Sequence, residues 1–222
     1  MTAALARRAA AEFIGTGLLL AVVVGSGIMG ERLAAGNDAI ALLANSGATG
    51  CGLFVLILVL APVSGAHFNP LVSALARLDG MIDNGTLLAF ILAQSTGAIA
   101  GVALAHAMFD MAALAPSMTQ RTGAGQWLAE AVATFGLLLV IAGTRRYGVV
   151  VLAAAVGTYI ASAYWFTAST SFANPAVTLG RALTPTFSGI APAHVLGFIV
   201  AQIAGAAAAV GFGAWLFRPR PR

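Results

Sequence analysis

The sequence has no lysine, one cysteine and few charged side chains. Only 8% of its 222 residues are charged, against about a quarter in an average soluble domain. The single cysteine, Cys51, cannot form a disulfide within the chain. We find no cluster with metal-ligand spacing and no set of nucleophile and base, so we predict no metal, no cofactor and no enzyme.

The charge that is present comes from arginine, and the formal net charge is +4. It forms no contiguous patch interleaved with aromatic residues, so we expect no nucleic-acid partner. With the N-terminus inside, one side of a membrane carries Arg7, Arg8, Arg77, Arg145, Arg146, Arg218, Arg220 and Arg222, and the other carries Arg32, Arg121 and Arg181. The positive-inside rule then predicts an inner-membrane protein whose termini are both cytoplasmic.

Long apolar runs dominate the chain, and 60% of its residues are hydrophobic. Six windows are each near the roughly 20 residues that cross a hydrocarbon core. They cover about 9–30, 39–61, 86–109, 126–143, 148–166 and 193–217. These spans leave no room for a separate soluble domain. The sequence therefore predicts one all-α membrane domain over 1–222, with the lipid bilayer as its partner.

Two further apolar segments, at 69–78 and 174–183, are too short to cross a bilayer. Such segments persist in a membrane only where protein or a wet cavity satisfies their backbone. We therefore expect two re-entrant half-helices that enter from opposite faces.

Each short segment begins with an Asn-Pro pair, Asn69-Pro70 and Asn174-Pro175. Asn is a preferred N-cap, and Pro is favoured at the first helical position. When the side-chain oxygen of Asn caps the helix, its NH2 group keeps two donors for other partners. The helix dipole adds about half an elementary charge of positive sign to the same end. The two pairs thus predict two fixed hydrogen-bond donors.

Other landmarks recur in the same order in both halves of the chain. Ala-Glu begins the first and fourth spans at Glu12 and Glu130, and Ala-Gln marks the third and sixth spans at Gln94 and Gln202. Three spans per half is an odd number, so the second half is inverted relative to the first. We predict repeat 1 at about 9–109, a loop at about 110–125 and repeat 2 at about 126–217, with both asparagines at the midplane.

Glu12 and Glu130 lie inside apolar spans, where ionisable residues are costly and are usually paired or functional. A proton or ion relay is one interpretation. We prefer a structural one, in which each carboxyl accepts hydrogen bonds from the irregular backbone before a half-helix. Gln94 and Gln202 receive the same supporting role.

Six spans, duplicated Glu and Gln, and the motifs Ser64-Gly65-Ala66-His67-Phe68-Asn69-Pro70 and Phe172-Ala173-Asn174-Pro175-Ala176 resemble the major intrinsic protein family, the aquaporins and aquaglyceroporins. The resemblance implies an aquaporin-like right-handed bundle of six transmembrane helices plus two re-entrant half-helices. It also implies a homotetramer with one pore per subunit, passive flow of water or small neutral solutes, and exclusion of protons. Its pore motifs are Asn69, Pro70 and Leu71, and Asn174, Pro175 and Ala176.

Extended backbone before each motif can offer carbonyl acceptors to a solute, at Gly65, Ala66 and His67 and at Thr170, Ser171 and Phe172. We prefer this backbone role for His67 over a titrating gate on its imidazole. Leu71 stands where the family usually has alanine. We expect it to add bulk beside the central constriction or to change how the two prolines meet.

The resemblance places the selectivity filter, by spacing, at Thr49, Ser162, Ser171 and Val177. Most family members have arginine at the position of Val177, and aromatic residues or histidine are usual at the first two positions. A ring of Thr, Ser, Ser and Val is small and uncharged, which favours a wide pore without arginine. We expect it to pass glycerol, urea or an uncharged metalloid acid such as arsenous acid (arsenite), and larger neutral derivatives.

Two residues near this ring have open roles. Arg181 lies one helical turn beyond Val177, where it either supplies a displaced charge to the filter or, as we prefer, ties the half-helix to a neighbouring loop. Cys51 points about 200° away from Thr49 on a helix, which favours a packing role over a pore-side thiol.

Two other classes of protein fit the same pattern. An ion-coupled secondary transporter also uses inverted repeats and half-helices, and its coupling site would have to be Glu12 or Glu130. A closed structural protein of the same fold would show no permeability.

Overall fold

The structure, a computed structural model, describes residues 2–112 and 114–217. Six of its helices are long and apolar enough to cross a membrane. Two others are short, and the described part of the chain contains no strand. The helices are α1 (Ala3–Leu33), α2 (Asp38–Ser64), α3 (Pro70–Leu78), α4 (Asn84–Met108), α5 (Ala124–Thr144), α6 (Val149–Phe166), α7 (Pro175–Arg181) and α8 (Val195–Leu216), with short 3-10 turns at Arg145–Tyr147 and Pro192–His194.

The prediction of six spans and two half-helices is confirmed, but the helices extend beyond several of the apolar windows. The first helix begins at Ala3 rather than near residue 9, because the Thr2 side chain caps it by accepting the Leu5 N–H at 3.2 Å. The apolar window marks the part of a helix that meets lipid, and a cap marks where the helix starts. Arg218, Arg220 and Arg222 lie outside the described residues.

Side-chain caps also fix the starts of α2 and α4 outside the membrane. Asn37 accepts the N–H groups of Ala39 and Ile40 at 3.1 and 3.2 Å. Asp83 accepts the Thr86 N–H at 2.7 Å. That backbone hydrogen bond holds the pKa of Asp83 below its usual range, because it stabilises the ionised carboxylate.

The two halves pack in the same way, as an inverted repeat. Helix α1 packs against α4, and α5 packs against α8. A Cβ on Gly97 would overlap the carbonyl of Phe13, and a Cβ on Gly205 would overlap the carbonyl of Ala131. These glycines therefore allow the backbones of the paired spans to touch at equivalent places.

Six crossings bring both ends of the described chain to one side of the bundle, which we call the terminal face, and we call the opposite side the distal face. At the distal face the loop between α4 and α5 pairs with the segment after α7. Ala115 and Ser117 donate to the carbonyls of Leu183 and Ala182 at 3.1 and 3.0 Å. Half-helix α3 returns to the terminal face and α7 to the distal face.

Candidate functional site

The first re-entrant loop is built on a buried carboxylate of α1. Glu12 accepts the backbone N–H groups of His67 at 2.9 Å and Phe68 at 2.7 Å. It also accepts the Ser64 hydroxyl at 2.6 Å and the Gln94 amide at 2.8 Å. Because Glu12 is fully buried, these four donors replace water around the carboxylate.

The second loop has the same construction on α5. Glu130 accepts the N–H groups of Phe172 at 2.8 Å and Ala173 at 2.9 Å. It also accepts the Ser169 hydroxyl and the Gln202 amide, both at 2.6 Å. These contacts favour the interpretation of both carboxyls as loop supports rather than as a relay.

Each glutamine joins its carboxylate to the half-helix of its own repeat. Gln94 donates to the Ser73 hydroxyl in α3 at 2.9 Å, and Gln202 donates to the Thr178 hydroxyl in α7 at 2.9 Å. Ser73 and Thr178 each lie four residues after the asparagine that begins their helix. Span, loop and half-helix are therefore tied together by equivalent residues in both repeats.

Both loops contain left-handed residues other than glycine. The φ angle is 52° at Ala66 and 50° at Phe68, and it is 50° at Ser171 and 47° at Ala173. Such angles are uncommon outside glycine and cost of order 1–3 kcal/mol each. The carboxylates offset this cost by binding the loop N–H groups, so the backbone before each half-helix keeps a fixed, strained shape.

Asn69 and Asn174 cap the half-helices, with Pro70 and Pro175 at the first helical position. The side-chain oxygen of Asn69 accepts the N–H of the second helical residue at 2.9 Å. That of Asn174 accepts the equivalent N–H, of Ala176, at 2.9 Å. Both NH2 groups therefore point away from the helices that the oxygens cap.

Each asparagine amide also reaches across to the other repeat. Nδ2 of Asn69 donates to the carbonyl of Ala173 at 2.8 Å, and Nδ2 of Asn174 donates to the carbonyl of Phe68 at 2.7 Å. Among the described residues, this is the only hydrogen bond that either NH2 group makes. Because an amide has two hydrogens, one on each asparagine is left for a solute.

A cavity of about 170 Å³ passes both asparagines and extends toward both faces. Met81 and Arg145 line it toward the terminal face, and Thr49, Tyr164 and Arg181 line it toward the distal face. Most of the wall between them is aliphatic and is formed by Leu19, Val23, Leu53, Ile57, Val72, Leu75, Ala76, Leu137, Ile141, Leu152, Val156, Ile160 and Val177.

The predicted carbonyl acceptors lie along this cavity with one exception. Gly65, Ala66 and His67 line it, as do Ser171 and Phe172, whereas Thr170 does not. Within the described chain, no donor reaches any of the six predicted carbonyl oxygens. They are thus available to a solute where they border the cavity.

The predicted filter is wrong at one of its four positions. Thr49, Ser171 and Val177 line the distal part of the cavity, but Ser162 does not. Ser162 is exposed on the outside of α6, and its hydroxyl donates to the Tyr159 carbonyl at 2.7 Å. Tyr164, two residues further along, lines the cavity instead, with its hydroxyl 3.3 Å from that of Thr49. Counting from Asn174 misplaces the ring because a two-residue step rotates a helix by about 200°.

The prediction of a pore without arginine is also wrong, because Arg181 lines the cavity. Arg181 is 1% exposed and donates through Nε to the Ser188 carbonyl. The predicted tie to a neighbouring loop is therefore present, but it leaves the rest of the guanidinium at the cavity wall. An aromatic residue, Tyr164, and a cation, Arg181, both stand at the distal end; the aromatic residue was not predicted from the sequence, and the cation was predicted only as the less favoured role of Arg181.

Leu71 and Cys51 lie away from the cavity. Leu71 packs outward against a cluster that includes Leu138 and Ala206, so the prediction of added bulk at the central constriction is wrong. It follows Pro70 on α3, and its side chain turns toward α5 and α8. Cys51 is exposed on the outer surface of α2 rather than packed inside the chain.

The imidazole of His67 is hydrogen-bonded rather than free. Its Nδ1 lies 3.0 Å from the Ser73 hydroxyl, and its ring meets Phe90 edge to face with centroids 5.4 Å apart. The equivalent residue in the second loop is Phe172, which meets Phe198 in the same way at 5.1 Å. This shared packing supports a structural role for the imidazole.

Sequence reasoning missed the fit between Gly15 and Phe68. A Cβ on Gly15 would overlap the Phe68 ring, so a small residue on α1 makes room for a large one in the first loop. At the equivalent positions of the second repeat stand Ala133 and Ala173. The sequence contained the signal for this fit. Gly15 and Ala133 each lie three residues after a repeated glutamate, and Phe68 and Ala173 each directly precede a repeated asparagine.

Three comparisons with known proteins agree with this geometry. The family described as Major intrinsic protein matches residues 1–148. The chain is 53% identical to Aquaglyceroporin AqpS of Rhizobium meliloti (strain 1021) over 97% of this chain and 92% of that relative. It is 35% identical to a probable aquaporin PIP2-8 of Oryza sativa subsp. japonica over 46% of this chain and 36% of the relative. The X-ray structure of the aquaglyceroporin from Plasmodium falciparum has a TM-score of 0.75 and covers 95% of both chains at 22% identity, which is a likeness of fold.

Proposed function

The chain belongs to the major intrinsic protein family, and from that premise we propose that it is a passive channel for small uncharged solutes. Water, glycerol, urea and a neutral metalloid acid such as arsenous acid (arsenite), with larger neutral derivatives, form the proposed range. The similarity to a protein named aquaglyceroporin supports the glycerol-sized end of this range. The family is one of channels, and we propose no catalytic activity.

The observation that carries the proposal is that each of the two asparagine NH2 groups in the cavity has one N–H without a protein partner among the described residues. Asn69 and Asn174 each keep one N–H after the bonds to Ala173 and Phe68 are made. Both residues line the cavity. A passing oxygen can accept from these two donors, and most of the wall beside them is aliphatic, so binding stays weak enough for release.

The two opposed amide donors also favour the exclusion of protons. A water between Asn69 and Asn174 accepts from both amides, so its own hydrogens point outward along the pore. Waters on either side then orient in opposite directions, and a proton cannot hop through the centre without breaking these bonds. The strained loops keep the amides in place.

The occupied carboxylates argue against ion coupling. Glu12 and Glu130 are fully buried, and each already accepts four hydrogen bonds. A transporter needs a site that gains and loses its coupling ion. Binding a proton here would cost loop hydrogen bonds, so we propose flux that does not follow an ion gradient.

The proposal includes a location and an assembly. We propose an inner-membrane protein, one channel domain per chain, with both termini in the cytoplasm and four subunits in a homotetramer. The large hydrophobic side chains on the outer surface, such as Val59 and Leu196, fit contact with lipid or with another subunit. Labelling a cysteine introduced by Thr2→Cys in a Cys51→Ser chain, in intact and in opened cells, tests the orientation, and native mass spectrometry in detergent tests the tetramer.

Stopped-flow swelling of vesicles that contain the purified protein tests the function. Water, glycerol, urea and arsenous acid should enter faster than into empty vesicles, linearly with concentration and without regard to proton or sodium gradients. Vesicles that pass water but exclude every other solute would contradict the proposed range. Saturating flux that follows a gradient would favour a transporter, and no flux from a folded tetramer would favour a closed structural protein.

Replacing Val177 by Arg tests the position of the distal constriction. A guanidinium there should narrow the solute range, so that glycerol and arsenous acid slow more than water. Ser162→Arg is the matched control, because Ser162 is exposed outside the cavity. An unchanged solute range in Val177→Arg would remove residue 177 from the constriction.

A further inference from the structure

We propose that Arg181 is the charged donor that selects solutes at the distal constriction, where it binds solute oxygens together with Ser171 and excludes cations. The ligand class is a small neutral molecule with several oxygens, such as a polyol. This inference rests on the channel function proposed above. It assigns to position 181 a task that residue 177, a valine, cannot perform.

Position and reach come first. Val177 and Arg181 lie four residues apart on α7, which places them on one face about one turn apart. Both line the cavity. A long side chain at position 181 therefore reaches the wall of the passage from a point nearer the distal face.

Two buried polar atoms in this part of the cavity have no partner. Nη1 of Arg181 and Oγ of Ser171 are buried and make no hydrogen bond within the described chain. A buried donor without a partner has lost its water and gained no bond in return, and this cost is larger when the donor is charged. Two such atoms on neighbouring parts of one cavity wall indicate a place where a solute oxygen completes the bonding.

The guanidinium is held in a fixed orientation. Nε donates to the Ser188 carbonyl, and the guanidinium carbon lies 3.4 Å from the centroid of the Phe172 ring. Phe172 follows Ser171 directly in the loop, which brings the two unpartnered groups to the same end of the cavity. A donor that is already oriented loses little freedom when a solute binds.

The carbonyl that holds Arg181 belongs to a braced segment. His106 Nε2 lies 2.7 Å from the Thr184 hydroxyl, which lies 2.9 Å from that of Thr186, and Thr186 lies 3.3 Å from the Ser188 hydroxyl. All four residues are buried. This chain of hydrogen bonds fixes the segment after α7, so the guanidinium has a rigid anchor.

A second arginine, the half-buried Arg121, shows what a purely structural arginine looks like. Arg121 donates through Nε to the Gly189 carbonyl at 2.8 Å and through Nη1 to the Ser169 carbonyl at 3.2 Å. It does not line the cavity. Arg121 clamps the loops with both ends of its guanidinium, whereas Arg181 uses only Nε for this purpose.

No acid forms a salt bridge with Arg181 in the described part of the chain. Among the described residues the one salt bridge joins Arg145 to Asp79 near the terminal face, and Glu130 is surrounded by loop donors. A charge without a salt-bridge partner beside a low-dielectric passage contributes to a potential of several kT. Cations are therefore repelled at the distal end, while neutral oxygen-rich solutes are bound.

Arg181→Gln separates the tie from the filter. The Nε2 of glutamine stands at about the position of arginine Nε, so it can still donate to Ser188, but the charge and the terminal donors are gone. In vesicles we expect the sodium leak to rise about tenfold or more, with the tetramer retained. Arg181→Lys, which keeps the charge, should keep the sodium exclusion.

A second-site rescue of sodium exclusion distinguishes a filter role of Arg181 from a purely structural one. Adding Val177→Arg to Arg181→Gln should restore sodium exclusion to within about twofold of the unchanged protein, because the charge returns one turn further in. Failure of this rescue, or an Arg181→Gln channel that still excludes sodium, would overturn the inference.

If Arg181→Gln does not assemble, Ser171→Asp gives an independent test. Asp tolerates the left-handed φ of 50° at this position, and its carboxylate would cancel the positive charge beside it. The sodium leak should again rise, and an unchanged leak would overturn the inference. If the unchanged protein itself passes neither water nor glycerol, the proposed channel function fails instead.

Discussion

The two re-entrant loops have the same supports and different walls. Each has a buried glutamate that accepts four hydrogen bonds, a glutamine that reaches a hydroxyl in the half-helix, and an asparagine that donates to the opposite loop. Some of the residues that differ between the repeats line the cavity. Position 76 in the first repeat is alanine, and its equivalent in the second is Arg181.

This comparison separates the residues that shape the passage from those that select within it. Equivalent residues support the backbone of both loops, so substitutions of these residues should affect folding. Non-equivalent residues make the terminal half of the passage largely aliphatic and give the distal half Thr49, Ser171, Tyr164 and Arg181. Selection is therefore expected mainly at the distal end, and substitutions in the two classes should have different consequences.

The largest effect should come from breaking the shared support. Glu12→Ala or Glu130→Ala leaves four buried donors without an acceptor, at about 1–3 kcal/mol each. We expect neither variant to give a folded tetramer, and size-exclusion chromatography in detergent measures this. Glu31→Ala, at an exposed site near the end of α1, is the control. If one glutamate is dispensable and the other is not, the equivalence of the loops is lost.

The next largest effect should come from the place where the two loops differ in side-chain volume, the contact between Gly15 and Phe68. Gly15→Ala pushes a methyl group into the Phe68 ring, and such overpacking costs about 1–3 kcal/mol. The melting temperature should fall, and Phe68→Leu in the same chain should recover part of the loss. Gly47→Ala, where nothing lies within 4 Å of the added Cβ, should leave the melting temperature unchanged or raised.

A third test sharpens the equivalence of the asparagines. Asn69→Asp and Asn174→Asp keep the helix cap but replace the NH2 group by an oxygen that repels the opposite carbonyl. Losing a neutral bond of about 1 kcal/mol, together with the repulsion between the two acceptors, should lower glycerol permeability by about tenfold in both variants. Stopped-flow swelling measures the rates. A large difference between the two variants would show that the midplane is not shared equally.

The smallest effect concerns the side of α6 that meets the passage. Tyr164→Phe removes one hydroxyl beside Thr49, and a neutral hydrogen bond contributes about 1 kcal/mol. Glycerol permeability should change by about fivefold or less, whereas Ser162→Ala should leave it unaltered. The reverse pattern, measured in the same vesicles, would return Ser162 to the filter.

Residues fixed by local rules or by the repeat were predictable from the sequence. The spans follow from apolar length, the half-helices from Asn-Pro, and the positions of Glu12 and Glu130 from their recurrence. Ser162 was misplaced because counting along a loop does not reveal which face of α6 is turned inward. Only part of the role of Arg181 was predictable. The sequence places it one helical turn after Val177, but it does not show that the Ser188 carbonyl accepts from Nε and leaves Nη1 at the cavity.

The crossed amide bonds have a consequence for biosynthesis. Because Asn69 donates to Ala173 and Asn174 donates to Phe68, neither loop can complete its bonding while the ribosome has delivered only one repeat. The first four helices must wait in the bilayer with an unfinished loop until α7 arrives. A nascent chain arrested between the repeats would thus hold the Asn69 amide without its partner carbonyl.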